Sequence, residues 1–209
     1  MSTIKTTNIT HGSNSGTNNL ILDDTGKVSI AEKKLYCPGT IIQVKNVHFQ
    51  GVDSTSHAAQ SDGSQTIWEY DNANLRVGIT PTAASNKILV MGHISLGSSV
   101  SGLGIFVKLY RRLASGSGAS VGMNTASNTY SPKIIAADSE IYSGSSLHTV
   151  SFNYLDTPAN ASDEHVYYFG FTHNSSSART IGINRTGDDG DNYYNPRGTS
   201  GITLMEVAG

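Results

Sequence analysis

The sequence predicts an all-β protein, an antiparallel β-sandwich of the jelly-roll-like kind. Short β-branched and aromatic runs alternate with turns rich in Gly, Pro, Asn and Asp, and long amphipathic segments rich in Leu, Glu, Lys and Ala are missing. The segment ITPTAASNKILV, residues 79–90, shows the arrangement, because a polar turn that begins at Pro81 separates two β-branched runs. We count about eight to ten such strands, a number typical of two packed sheets.

The individual strands are predicted from alternation of apolar and polar residues. In residues 40–49 the apolar phase changes, which indicates a bulge near Lys45. Residues 51–65 are polar and predict a long loop. Residues 75–79 and 87–96 read as a strand, a turn and a second strand. Further strands are predicted over residues 66–70, 105–113, 150–154, 181–183 and 202–207.

One stretch is apolar on both of its faces. Residues 166–172 read VYYFGFT, without the alternation expected of a strand that has one solvated face. Such a strand is either buried on both faces or placed in a subunit interface. It is the best interface candidate in the sequence.

The N-terminal residues 1–35 differ from the remainder, residues 36–209, which we expect to form the sandwich domain. The segment contains two short apolar clusters, Leu20–Leu22 and Val28–Ile30, which cannot form a core of their own. Two interpretations stay open. The segment is a disordered arm, or the DDTG sequence between the clusters forms a hairpin that a partner chain or a docking surface orders.

Composition excludes several classes of partner and site. The formal net charge is −2 and only 14% of residues are charged, so no basic surface for nucleic acid is expected. No apolar run approaches the roughly 20 residues of a membrane span, and no secretion signal is present, so we expect a soluble protein made in a cytoplasm. Cys37 is the single cysteine, which excludes an internal disulfide and a Cys-based zinc site.

No catalytic motif is present, and we expect a protein that is not an enzyme and has no cofactor. The chain lacks a GxSxG elbow and the repeat periodicity of a β-helical depolymerase. Its seven histidines never adopt HExxH spacing, so no metal site is predicted. Around Gly190, several oxygen-bearing side chains could hold calcium, but a solvated turn is the favoured interpretation for Asp188, Asp189, Asp191 and Asn192.

Carbohydrate binding is the chemistry that the loops favour. Aromatic faces stack on sugar rings, while polar side chains bond to hydroxyl groups. The densest such cluster lies in a predicted loop and comprises Asp191, Tyr193, Tyr194, Asn195 and Arg197. A second candidate consists of Trp68 and Tyr70, next to the predicted loop 51–65. The alternative is that the two adjacent tyrosines cap the sandwich and that Trp68 lies in the core.

Four segments resemble a domain found in predicted tail-fibre and other virion proteins of tailed phages, especially marine ones. They are ITPTAASNKILV, VSFNYLDTPANAS, VYYFGFTHNSSS and SGITLMEVA, and the similarity covers roughly residues 36–209. The N-terminal NLILDDTGKVSI is similar to connector repeats that precede such domains. The resemblance implies a homotrimeric β-sandwich on the virion surface.

The resemblance leaves two locations on the virion open. The first is a short tail fibre or receptor-binding knob, which is attached to another virion protein through residues 1–35 and recognises a host-surface glycan or receptor. The second is a capsid decoration or head-fibre protein that docks on the capsid lattice. Because about 35 residues precede the predicted sandwich, we expect a short appendage rather than the extended shaft of a long fibre.

Overall fold

A computed structural model describes residues 38–60, 66–116, 143–158 and 161–209, together with short backbone strands in the remaining segments. Every strand pair is antiparallel, and the described residues contain no helix. The predicted all-β sandwich is therefore confirmed. The strands are β1 (Asn8–Ile9), β2 (Leu20–Leu22), β3 (Val28–Ile30), β4 (Ile41–Phe49), β5 (Asp53–His57), β6 (Trp68–Tyr70), β7 (Val77–Ile79), β8 (Lys87–Gly97), β9 (Leu103–Leu113), β10 (Gly118–Ser120), β11 (Ala136–Ile141), β12 (His148–Asp156), β13 (His165–His173), β14 (Arg179–Ile183) and β15 (Ser200–Val207).

Two six-stranded sheets build the sandwich. In the first, which we call the β8 sheet, the order is β4-β15-β8-β14-β5, and β12 pairs with the other edge of β8. In the second, the β13 sheet, the order is β10-β9-β13-β6, with β11 beside β9 and β7 beside β13. Strands β1, β2 and β3 form a separate three-stranded sheet in the N-terminal segment.

The core lies between the two large sheets. Alternate residues of β8 point inward, and Ile88, Val90 and Ile94 are fully buried. From the facing sheet, Phe169 and Phe171 of β13 are buried against them in one hydrophobic cluster. The period of two in the sequence therefore gives the inner face of each strand directly.

Strand β13 is buried on both faces within a single chain. Its second phase contributes Val166 and Tyr168 to a smaller cluster with Tyr110. The rings of Tyr110 and Tyr168 stack at 5.5 Å between centroids, and the guanidinium carbon of Arg112 lies 6.0 Å from the Tyr168 ring. The first of the two interpretations of residues 166–172 is therefore correct, and this strand is not an exposed interface. The homotrimer remains a prediction.

Two local predictions were wrong. Residues 51–65 are not one loop, because β5 lies inside this segment and pairs with β14 as a polar edge strand. The β4 irregularity is not near Lys45 either. Glu206 pairs with Gln43 and Val207 with Ile41, so the register shift lies at residues 41–43, where the strand begins.

The strands on either side of the Pro81 turn belong to different sheets. Strand β7 pairs with β13, whereas β8 pairs with β15 and β12. The turn therefore connects the two layers. In the N-terminal segment, β2 and β3 pair antiparallel, as the DDTG hairpin signal indicates, although the turn residues themselves lie outside the described residues.

Candidate functional site

A long loop, residues 184–199, connects β14 to β15, and we call it the tyrosine loop. Its base is held by the fully buried Asn184, whose Nδ2 donates to the carbonyl oxygens of Phe49 at 2.9 Å and Gly51 at 2.8 Å. The hydroxyl of Ser200, at the other end of the loop, donates to Asn184 Oδ1 at 2.6 Å. The hydrogen bonds of Asn184 and Ser200 therefore fix both ends of the loop to the β8 sheet.

The first half of the tyrosine loop is held by an ion-pair network around Asp189. Arg185 Nη1 lies 3.1 Å from Asp189 Oδ2, and Arg197 Nη2 lies 3.0 Å from Asp189 Oδ1. The backbone of Asp189 has a positive φ of 42°. Both oxygens of this carboxylate thus face guanidinium groups. Within the described ranges, no group of three or more His, Cys, Asp or Glu side chains is placed to hold a metal ion.

Tyr193 and Tyr194 project from the tip of the loop. The side chain of Tyr193 is 96% exposed and that of Tyr194 is 53% exposed, and their ring centroids lie 4.6 Å apart at an interplanar angle of 74°. The predicted alternative, in which both rings cap the sandwich, is therefore not what the structure shows. Two adjacent aromatic faces are open to solvent on a fixed loop.

Polar residues flank this aromatic pair along the loop. Asp191 and Arg197 are exposed, and Arg197 is the residue that joins the tip to Asp189. A tight turn places Asn192 and Asn195 around Gly190, where an added Cβ would lie 2.8 Å from Asn192 Nδ2 and 3.0 Å from Asn195 Nδ2. The Oδ1 atom of Asn195 is buried without a hydrogen-bond partner, which is unfavourable by about 1–3 kcal/mol. The loop thus carries an exposed guanidinium and an exposed carboxylate close in sequence to two exposed rings.

Trp68 lies in a different place, on β6 between the two sheets. Its ring stacks on His173 at 5.9 Å and contacts the edge of His57 at 4.4 Å. His57 and His173 are buried, and burial, together with the nearby His173, lowers the pKa of His57 to about 4. Trp68 is half-buried in this cluster, as the core interpretation expects, and does not share a site with the tyrosine loop.

Tyr70 likewise has a structural environment. Its hydroxyl donates to Asp53 on β5 and accepts from Asn72 Nδ2 at 2.9 Å. Burial, and then the hydrogen bond to Asp53, raise the pKa of Tyr70 well above its ordinary value. This hydroxyl therefore stays protonated and joins the edges of the two sheets. Of the seven predicted ligand residues, five lie on the tyrosine loop and two lie on β6.

A shallow groove on the outer face of the β8 sheet was not predicted. It has a volume of about 440 Å³, and His48, His93 and Thr203 are among its lining residues. Burial and then the charge of His48 lower the pKa of His93. Gly201 is among the residues that line the groove, and a Cβ added there would lie 3.4 Å from His93 Cε1. A single glycine in a strand is a weak signal that sequence periodicity does not reveal.

Comparison with known proteins gives structural matches of low similarity. No protein-family model and no curated protein matches the chain. A structure of the infectious bursal disease virus Gt strain is 14% identical with a TM-score of 0.46, covering 96% of this chain and 47% of that chain. The infectious bursal disease virus VP2 subviral particle is 15% identical with a TM-score of 0.41, covering 79% and 41%. Eiger TNF from S. frugiperda is 14% identical with a TM-score of 0.40, covering 79% and 93%.

The chain spans about half the length of the first of these viral chains. At such identities and TM-scores the matches carry no functional information. No helix in the described part of the chain is long and apolar enough to cross a membrane.

Proposed function

We propose that this chain is a non-enzymatic virion surface protein of a tailed phage, a short tail fibre or receptor-binding knob. In this proposal the tyrosine loop binds glycans of the host surface, and residues 1–35 attach the sandwich to another virion protein. The phage resemblance of the sequence supports the virion setting. The structure supports the binding role through the observation described next.

The observation that carries the proposal is the exposure of Tyr193 and Tyr194 on an anchored loop. Large aromatic side chains are normally buried, because leaving their apolar area in water is unfavourable. Here the loop ends are fixed by Asn184 and Ser200, so little conformational entropy is lost when a ligand binds. Sugar rings offer apolar C–H faces that stack on such rings, and their hydroxyl groups pair with exposed donors and acceptors like those of Arg197 and Asp191.

Self-association fits the same role. A shallow, exposed site of this kind binds a single glycan weakly, and several linked copies raise the overall affinity by avidity. A homotrimer, as the resemblance implies, would present three tyrosine loops on one knob. We include it in the proposal.

The proposal is tested on a glycan array with the full chain, followed by titration of the best ligand. We expect the Tyr193→Ala/Tyr194→Ala double variant to bind that ligand at least about tenfold more weakly, because both stacking faces are lost. The Tyr193→Phe/Tyr194→Phe variant keeps the rings and is expected to retain most of the affinity. Lys87→Ala, an exposed change on β8, is the second control.

Two results would contradict the proposal. The first is wild-type protein that binds no glycan on the array. The second is a folded double Ala variant that keeps wild-type affinity, which would move the binding site away from the tyrosine loop.

A further inference from the structure

The outer face of the β8 sheet has an apolar half. Register places Val44, Met205, Leu89 and Leu155 in one row across β4, β15, β8 and β12. A neighbouring row contains Ile41 and Val207 and ends at the exposed Lys87 of β8. The inward neighbours along the same strands, such as Val90 and Leu204, are fully buried in the core, so this row points away from the core.

This apolar half is open to solvent. Ile41 and Val44 are each 53% exposed, and Leu155 is 48% exposed. The other half of the same face, which holds the groove, carries polar residues such as Asn46, His48 and Ser151. An antiparallel sheet with one solvated face normally shows polar residues there throughout. The apolar row is therefore the part of this face that lacks a cover.

The N-terminal segment enters the sandwich beside this row. Gly39 N donates to Ala208 O and Ala208 N donates to Thr40 O, both at 2.9 Å, which fixes the entry point next to Val207. Seven residues, 31–37, join Ile30 to Pro38. Fully extended they reach roughly 24 Å, whereas the four-strand row is about 14 Å wide. The preceding strands can therefore reach any part of the apolar half.

The β2–β3 hairpin has a matching apolar face. Leu20 pairs with Ile30 and Leu22 with Val28, whereas Ile21 pairs with Ser29. Because directly paired residues lie on the same side of a sheet, the first two pairs share one face and the third lies on the other. A short sheet with one apolar face is marginally stable in water unless that face packs on something.

We propose that the β2–β3 hairpin of each chain packs its Leu20, Leu22, Val28 and Ile30 face on the apolar half of its own β8 sheet. The docked hairpin adds a third layer to the sandwich, and β1, which pairs with β2, belongs to the same layer. The proposal does not depend on glycan binding, since the tyrosine loop belongs to another part of the chain.

Methionine methyl groups report on this docking. Met91 and Met205 lie on the outer face of the β8 sheet, so the full chain is labelled with ¹³C-methyl methionine, and its signals are assigned by single Met→Leu changes. We expect the Met205 methyl to be protected from a soluble gadolinium chelate in the wild type. Leu22→Ser/Val28→Ser is expected to abolish that protection. Ile21→Ser changes the opposite hairpin face and is expected to keep it.

Three results would overturn the proposal. Met205 would be equally accessible to the chelate in all variants, or the Ile21→Ser control would lose protection as fully as the double variant. The third is protection that disappears on dilution, which would show that the hairpin of a neighbouring copy covers the face. A cooperative thermal unfolding transition in both variants shows that the sandwich is still folded, so that the signals report docking.

Discussion

Asn184 connects the tyrosine loop to the core. It has a positive φ of 57°, a conformation that Asn tolerates better than most residues with a Cβ. Its side chain bonds to the carbonyl oxygens of Phe49 and Gly51, and its backbone N–H donates to Ser95 O at 2.8 Å. Asn184 therefore tolerates the positive φ at this position and also donates hydrogen bonds to the surrounding carbonyl oxygens.

The two contributions of Asn184 can be separated by substitution. We expect Asn184→Ala to lower the free energy of unfolding by about 2–4 kcal/mol, because it removes buried hydrogen bonds and strains the backbone. Asn184→Gly relieves the strain but not the lost bonds, so it is expected to cost about 1 kcal/mol less. Urea denaturation measures both. A loss under about 0.5 kcal/mol for the Ala variant would contradict this role.

Sequence analysis found the tyrosine loop but not the exposure of its side chains. The Gly, Asp, Asn and Pro residues of 187–199 mark a loop by local turn chemistry, which acts over a few residues. Whether Tyr193 faces solvent depends on what the rest of the chain places beside it, and no local pattern encodes that. Trp68 shows the opposite case, since its partners His57 and His173 come from two distant strands.

At the scale of elements, β5 shows why polar edge strands are hard to predict. Its sequence DSTSH has no β-branched or aromatic alternation, yet it pairs with β14 over five residues. At one end of β5, His57 packs against Trp68 on β6 and lies near His173 on β13. At the other end, Asp53 accepts a hydrogen bond from Tyr70 on β6, so both ends of the strand are attached to the opposite sheet.

This attachment makes stability depend on pH. The pKa of His57 is lowered to about 4 by burial, and burial also lowers that of His173, while Arg179 is the cross-strand neighbour of His57. The unfolded chain binds protons near pH 6.5 and the folded chain does not, so the free energy of unfolding falls as pH drops from about 6.5 to 4. We expect His57 to contribute a loss on the order of 2 kcal/mol over this window.

Denaturant unfolding at pH 7.5 and pH 5 checks the assignment. His57→Phe is expected to reduce the loss between the two pH values, because an uncharged ring takes the place of the imidazole. Lys87→Ala, a change at an exposed residue of β8 that does not titrate in this window, is the control and is expected to leave the loss as in the wild type. An unchanged pH dependence in His57→Phe would show that another group is responsible.

The polar residues that follow Pro81 have a structural role that the sequence did not reveal. Glu206 of β15 is fully buried and accepts bonds from Asn86 Nδ2 and the Thr82 N–H, each at 2.6 Å, and from Gln43 Nε2 at 2.6 Å. Burial alone would raise the pKa of this carboxyl group, but these hydrogen bonds outweigh it and hold the pKa below its ordinary value. The polar residues of ITPTAASN thus cap a buried charge at the end of the C-terminal strand.

At the scale of the whole molecule, periodicity predicted the layers but not their connections. Most core residues, such as Ile88 and Phe169, follow from alternation, because one face of each strand must be buried. The pairing of β7 with β13 joins residues about 90 positions apart, and no local pattern specifies it. The apolar outer row of the β8 sheet could not be predicted for the same reason, since it becomes continuous only when four strands pair in register.

The central claim is that this protein exposes its tyrosine loop on the tail of a phage particle. The measurement that tests it most directly is immunogold electron microscopy of intact particles, using an antibody fragment raised against residues 184–199 of the folded chain. We expect label at the tail, and label there that a bound glycan competes away. Label over the capsid would contradict the tail location and favour a decoration protein, and particles without label would contradict the virion role itself.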